Sequence, residues 1–315
     1  MGNGAVLQGV LLLMLLGHAI VPSAQAWQSS GGPSNSATAT ADGSWPGVDL
    51  NVLVRDKRGV PQKVSERELQ LFEDGTERQS HFADSADSPV SLALLIDSSG
   101  SIYKRKPEIL ATVTNIIHAL PADSEVMGVL FAGIAYIDLP LTPIAKVDLS
   151  FLDRLDTRGP SALWDAMVAT ENHLVANAKY SRRALVILSD GEDNASTLNA
   201  QQALRLIEKP GAPMIYACRI NDSPGFWNSQ GRADSYRGHR ILKVIAQWGG
   251  GVEIDLGLDP ASPAAQIVAA IQDQRVLRFT SAGPTRNGKR HKLELRLPGK
   301  DVEIHGLPGF YAPPK

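Results

Sequence analysis

The sequence predicts an α/β fold: a three-layer, doubly wound, mostly parallel sheet, flanked by a small β unit made from the N-terminal and C-terminal segments. Three observations predict it. Between residues 89 and 274, short continuous apolar runs alternate with stretches of helical period, as strands covered on both faces alternate with the helices that cover them. Before and after that region, apolar residues recur at every second position, as in strands with one buried face. The chain has 315 residues, 43% of them hydrophobic and 20% charged, enough for one large domain and a smaller one.

Taken in order, residues 1–26 read as an export signal. Positions 6–21 are almost all apolar, and Ala24-Gln25-Ala26 has the small-x-small pattern of a cleavage site, although no Lys or Arg precedes the apolar core. The run is shorter than the roughly 20 residues of a spanning helix, so no stable transmembrane anchor is expected. The expected destination is the periplasm or the extracellular space. Residues 27–44 are rich in Gly, Ser, Ala and Thr and read as a flexible linker.

Residues 45–88 form the N-terminal β segment. Val48, Leu50, Val52 and Val54 alternate as in a strand, and residues 55–61 read as a turn. Ser65-x-x-Glu68 has capping-box spacing for one helical turn, and Asp74-Gly75 turns a hairpin into a return strand ending at Phe82.

In residues 89–274, strands are expected at 90–96, 126–132, 184–188, 214–218 and 252–255, with an antiparallel edge at 135–139. Pro107 suits a first helical turn, after which Ile109, Val113, Ile116, Ile117 and Leu120 form a stripe; Leu163, Met167, Leu174 and Val175 form another. Further helices are expected at 198–208, 240–248 and 263–274. Residues 221–238 read as a long polar connection whose Phe226, Trp227 and Tyr236 are candidate partner contacts. The C-terminal β segment, 275–315, holds strands at 276–280, 293–297 and 302–304. Because an isolated strand pair is marginal in water, the two β segments are expected to pack together.

Composition excludes several functions. A net charge of -2 without a basic stripe argues against a nucleic-acid partner. Cys218 is the only cysteine, so neither an internal disulfide nor a thiolate cluster is available, and its apolar surroundings mark it as an inert buried thiol. Residues 283–290 nearly spell a phosphate-binding loop, but Arg290 stands where Ser or Thr is required; Asn287-Gly288 reads as a hairpin turn instead. No nucleophile elbow, zinc-protease pair or dinucleotide fingerprint is present, so no catalysis is expected.

The informative segment is Leu94-Leu95-Ile96-Asp97-Ser98-Ser99-Gly100-Ser101, where a buried strand runs into a carboxylate and alternating hydroxyls. At the carboxyl end of a parallel strand this turn reaches the crevice where doubly wound sheets bind ligands. A second strand ends in Ser189-Asp190-Gly191, and Ser161 lies in a Gly-Pro loop that opens a helix. Oxygen-only ligation by Asp97, Ser99, Ser101, Ser161 and Asp190 suits Mg²⁺ best, with Mn²⁺ and Ca²⁺ as alternatives, and the absence of His and Cys argues against zinc. Two rivals are a plain helix-capping turn and an aspartate-nucleophile phosphatase. The latter resembles D-x-D-x-T, whereas the third position here is Ser99. Asp165, Asp193 and Asp156 have capping or solvent-facing alternatives and are left out of the set.

Together, Asp97-x-Ser99-x-Ser101, the second-loop hydroxyl and Leu188-Ser189-Asp190-Gly191 resemble the metal-ion-dependent adhesion site of von Willebrand factor type A domains, over roughly residues 89–274. The resemblance implies that the first motif and Ser161 ligate directly and that Asp190 often acts through water. It also implies that the open position accepts an Asp or Glu from a partner protein. The family usually has Thr where Ser161 stands, and often Gly where Pro160 stands, so metal affinity is expected to differ. Phe72-Glu73-Asp74-Gly75 and residues 308–313 resemble a secreted subfamily first described in acidobacteria. The alternative is a structural or assembly module whose metal site only stabilises the fold or is vestigial.

Overall fold

The computed structural model describes residues 47–220, 229–281 and 287–312, with the backbone alone over 229–236. The expected export signal, the linker and Trp45 lie outside the described residues, as do Phe226, Trp227 and the side chain of Tyr236.

In chain order the elements are β1 (Val48–Asp56), β2 (Gln70–Glu73), β3 (Thr76–Arg78), β4 (Ser80–Phe82), β5 (Ser91–Asp97), α1 (Lys106–Ala119), β6 (Glu125–Phe131) and β7 (Ala135–Pro143). Then come α2 (Leu163–Asn177), β8 (Arg183–Ser189), α3 (Ala200–Ile207), β9 (Met214–Arg219), α4 (Ser229–Trp248), β10 (Glu253–Asp255) and α5 (Ala261–Asp273). The chain closes with β11 (Arg275–Phe279), β12 (Arg290–Arg296), β13 (Val302–Gly306) and β14 (Gly309–Tyr311).

A six-stranded sheet in the order β10-β9-β8-β5-β6-β7 forms the middle layer, parallel except for β7. Alternation along β5 explains the layering. Leu92, Leu94 and Ile96 pack with Ile109 and Val113 of α1 and Ile267 and Ile271 of α5. Ala93 and Leu95 point the other way, into a core with Met167 of α2, Leu204 of α3 and Ile245 of α4. With both faces covered, all seven residues of β5 are buried, which is why the strand reads as a continuous apolar run. The thiol of Cys218 lies in the first of these cores, and burial pushes it up to about 12.

The β unit is a pair of four-stranded sheets, β13-β1-β11-β4 and β14-β12-β2-β3, closed over one core that includes Leu50, Leu71, Phe279 and Phe310. The strands that pair across it come from both ends of the chain: β1 with β11 and β13, and β2 with β12. It docks on the amino ends of the central strands. Asn51 donates to Ala212 O just before β9, and Arg182 just before β8 pairs with Asp84. Arg290 makes two bonds to buried Glu208.

Four expectations are corrected. The return strand to Phe82 is split at Gln79, because β3 pairs with β2 whereas β4 crosses to β11, a corner where the chain changes sheets. Asn287-Gly288 does not join paired strands, since β11 and β12 belong to different sheets. Ser65 to Glu68 is a hydrogen-bonded turn and not a helical one; Glu68 accepts from the Ser65 N–H and hydroxyl, and the chain must straighten at once into β2. Finally, α4 begins at Ser229, eleven residues before the expected start at Arg240, because its first half is too polar to show an apolar period.

Candidate metal centre

The order of the central sheet places the site. From β5 the chain proceeds through α1 to β6 on one side, and from β8 through α3 to β9 on the other. The crevice of a doubly wound sheet opens where neighbouring strands diverge in this way, beyond their carboxyl ends. Asp97 closes β5, and Asp190 directly follows β8.

Asp97 is buried. Its Oδ1 accepts from the Ser99 N–H at 2.8 Å and its Oδ2 from the Ser189 hydroxyl at 2.6 Å. Burial first, then the negative charge of Asp190, raises the Asp97 carboxyl to about 7, against the opposing hydrogen bonds from Ser189 and Ser99. Ser99 is buried, and its Oγ lies 3.0 Å from that of the exposed Ser101. Asp190 is partly exposed, and its Oδ1 accepts from the Glu192 N–H.

Ser161 is held between the other two loops. On one side Arg158 N donates to Ser98 O, and Gly100 N donates to Gly159 O. On the other, Asn194 Oδ1 accepts from Ser161 N, while the Asn194 and Ala195 N–H groups bond Ser161 O. The backbone is thus fully engaged, but the buried Ser161 Oγ has no hydrogen-bond partner. All five expected residues therefore belong to three interlocked loops at one end of the sheet.

A partnerless buried hydroxyl in the same loop cluster as two carboxylates of like charge is a polar set that a cation would satisfy. Asp97, Ser99, Ser101, Ser161 and Asp190 offer only hard oxygen and fit a Mg²⁺-like cation. Among the described residues no three His, Cys, Asp or Glu side chains gather as a metal cluster; this set has two carboxylates and three hydroxyls.

No family model and no curated protein matches the chain. Solved structures with similar folds include a von Willebrand factor type A protein from Catenulispora acidiphila, at 13% identity and a TM-score of 0.45, over 87% of this chain and 74% of that one. An aerotolerance-related membrane protein from Bacteroides fragilis is 17% identical over 58% of this chain and 98% of its own, with a TM-score of 0.41. The PilB minor pilin from Streptococcus sanguinis is 11% identical over 59% and 61%, with a TM-score of 0.44. Likenesses at this level assign neither a family nor an activity.

Two residues gain roles that their sequence context alone did not reveal. Ser189 orients Asp97, and Asn194 fixes the Ser161 loop. The strand register carried a signal for the first: Ile96 lies opposite Leu188, so Ser189 is the next neighbour of Asp97. Nothing local marks Asn194. The omitted carboxylates serve the loops. Asp165 accepts from Thr197 and Leu198, and Asp193 accepts from Trp164 N and Ser196.

Proposed function

We propose that this chain is an exported protein-binding module of the von Willebrand factor type A kind. Asp97, Ser99, Ser101, Ser161 and Asp190 hold a divalent cation, Mg²⁺ before Mn²⁺ or Ca²⁺, and a partner protein supplies an Asp or Glu to it. The observation that carries this reading is the buried, partnerless hydroxyl of Ser161 in the same loop cluster as two carboxylates of like charge.

When bound, the cation supplies a Lewis-acidic position for the partner's carboxylate. Ser189 and the Ser99 N–H orient Asp97, the Asn194 side chain holds the Ser161 loop, and the exposed Ser101 and part-exposed Asp190 leave the site open to solvent. The surrounding surface suits a protein contact. Of the six large apolar side chains most exposed among the described residues, Tyr103 (69%), Ile134 (54%) and Leu258 (81%) lie on connections leaving the carboxyl ends of β5, β6 and β10. Aromatic and aliphatic anchors around a polar centre are the usual makings of a binding hot spot.

Thermal unfolding with EDTA or with Mg²⁺, run beside Asp97→Ala, tests the reading. A cation at a hundredfold excess over its dissociation constant stabilises the wild type by about 2.7 kcal/mol and leaves Asp97→Ala unmoved. A wild type indifferent to millimolar Mg²⁺, Mn²⁺ and Ca²⁺ would sink it in favour of the structural-module alternative. Export is tested separately, by the mass of the protein recovered outside the cytoplasm, which should lack residues 1–26.

A further inference from the structure

The turn that carries Asp190 is pressed from above by the backbone of α4. Gly191 has φ +83°, and a Cβ built on it would lie 2.3 Å from Gly238 O. In return, a Cβ on Gly238 would lie 2.1 Å from Asp190 O. Distances under about 3 Å are impossible for real side chains, so only glycine fits on either side and two peptide units touch directly. The other half of α4 is anchored to the sheet. Leu242, Ile245 and Ala246 are buried against it, and Gly249 packs on Ile215. Towards the rim, α4 makes the glycine contact and the His239–Glu253 bond of 2.7 Å.

We propose that Gly238 is a positioning residue for Asp190, through which the stance of α4 sets the affinity of the candidate cation site. This rests on the cation reading above. Close-packed backbones transmit displacement without the slack of a flexible side chain, so a shift of α4 moves the Asp190 turn with it. Conversely, a cation drawing Asp190 inward restrains α4. Helix α4, which packs against β9, is thereby coupled to the ion.

A matched control lies on the same connection. A Cβ on Gly251, just beyond the far end of α4, would meet Ile215 O at 2.1 Å, a clash as severe as that of Gly238 but at the opposite end of the sheet. The experiment measures Mn²⁺ affinity from the electron paramagnetic resonance signal of free Mn²⁺, for wild type, Gly238→Ala and Gly251→Ala, beside their melting temperatures in EDTA. Both variants should lose stability, but only Gly238→Ala should lose Mn²⁺ affinity, by tenfold or more, with Gly251→Ala within twofold of wild type. Equal losses in the two variants, or none in Gly238→Ala, overturn the proposal. If Gly238→Ala does not fold, hydrogen exchange on the wild type decides. Mn²⁺ should slow the amides of residues 237–242 several-fold and leave α3 unchanged, and an unaffected α4 overturns the proposal. A wild type that takes up no Mn²⁺ defeats the cation reading itself, a result visible before any variant is compared.

Discussion

Ser161 and Glu171 are ten residues apart, the first just before α2 and the second within it, and both are buried polar groups with unmet demands. The Ser161 hydroxyl has no partner to lose, so Ser161→Ala should cost under about 0.5 kcal/mol in EDTA by urea unfolding. The same variant should lose much of the stabilisation that Mg²⁺ gives the wild type; a full response would remove Ser161 from the ligand set. Glu171 is completely buried on α2, with Lys209 Nζ 3.1 Å away. Burial raises its carboxyl to about 7, with Lys209 pulling the other way. The folded chain therefore keeps a proton that the unfolded chain gives up near pH 4.5, so this contribution is complete below that pH and is lost as pH rises through 7. Asp97 acts with the same sign. Denaturation of Glu171→Gln across this range should show a shallower fall in stability than wild type, and an identical slope would mean that Glu171 is already ionised in the fold.

The elements show what a sequence declares and what it hides. Strand β5 and the stripe of α1 were legible because burial on both faces or on one leaves a run or a period in the residues themselves. The early start of α4 was hidden because polar residues carry no period, and its contact with the Asp190 turn depends on two glycines 47 positions apart. The pairing of β4 with β11 was hidden for a related reason: a sheet change at a single residue, Gln79, leaves the alternation on either side intact. In the site, the motif residues were legible as chemistry at strand ends, whereas Asn194 acts only through a loop that folds back on Ser161. Helix α3 allows a direct check. Asn199 and Gln202 cap each other at 3.0 and 2.9 Å, so Asn199→Ala should cost about 1 kcal/mol by urea denaturation. No measurable loss would mean that α3 is held by its apolar face alone.

At the scale of the whole molecule, the β unit and the central sheet meet through charged clamps as well as apolar packing. Glu208 is fully buried and depends on Arg290, and the Glu208 carbonyl also accepts from the Tyr311 N–H. Arg290→Ala strands that carboxylate and should cost about 3 kcal/mol by denaturant unfolding, while Mg²⁺ affinity at the far rim stays as it was. A loss below about 1 kcal/mol would show that water reaches Glu208. Among the described residues no helix is long and apolar enough to cross a membrane. The described chain enters through β1 and leaves through β14, both in the β unit, while the candidate site lies beyond the other end of β5 and β8. Those strands are seven residues long, a span of about 23 Å. A tension applied between the candidate site and the two ends of the described chain would therefore run lengthwise along parallel strands. Their ladder bonds would then share the load in shear, the geometry in which a sheet resists extraction best, and the molecule would behave as a short, stiff link under pull.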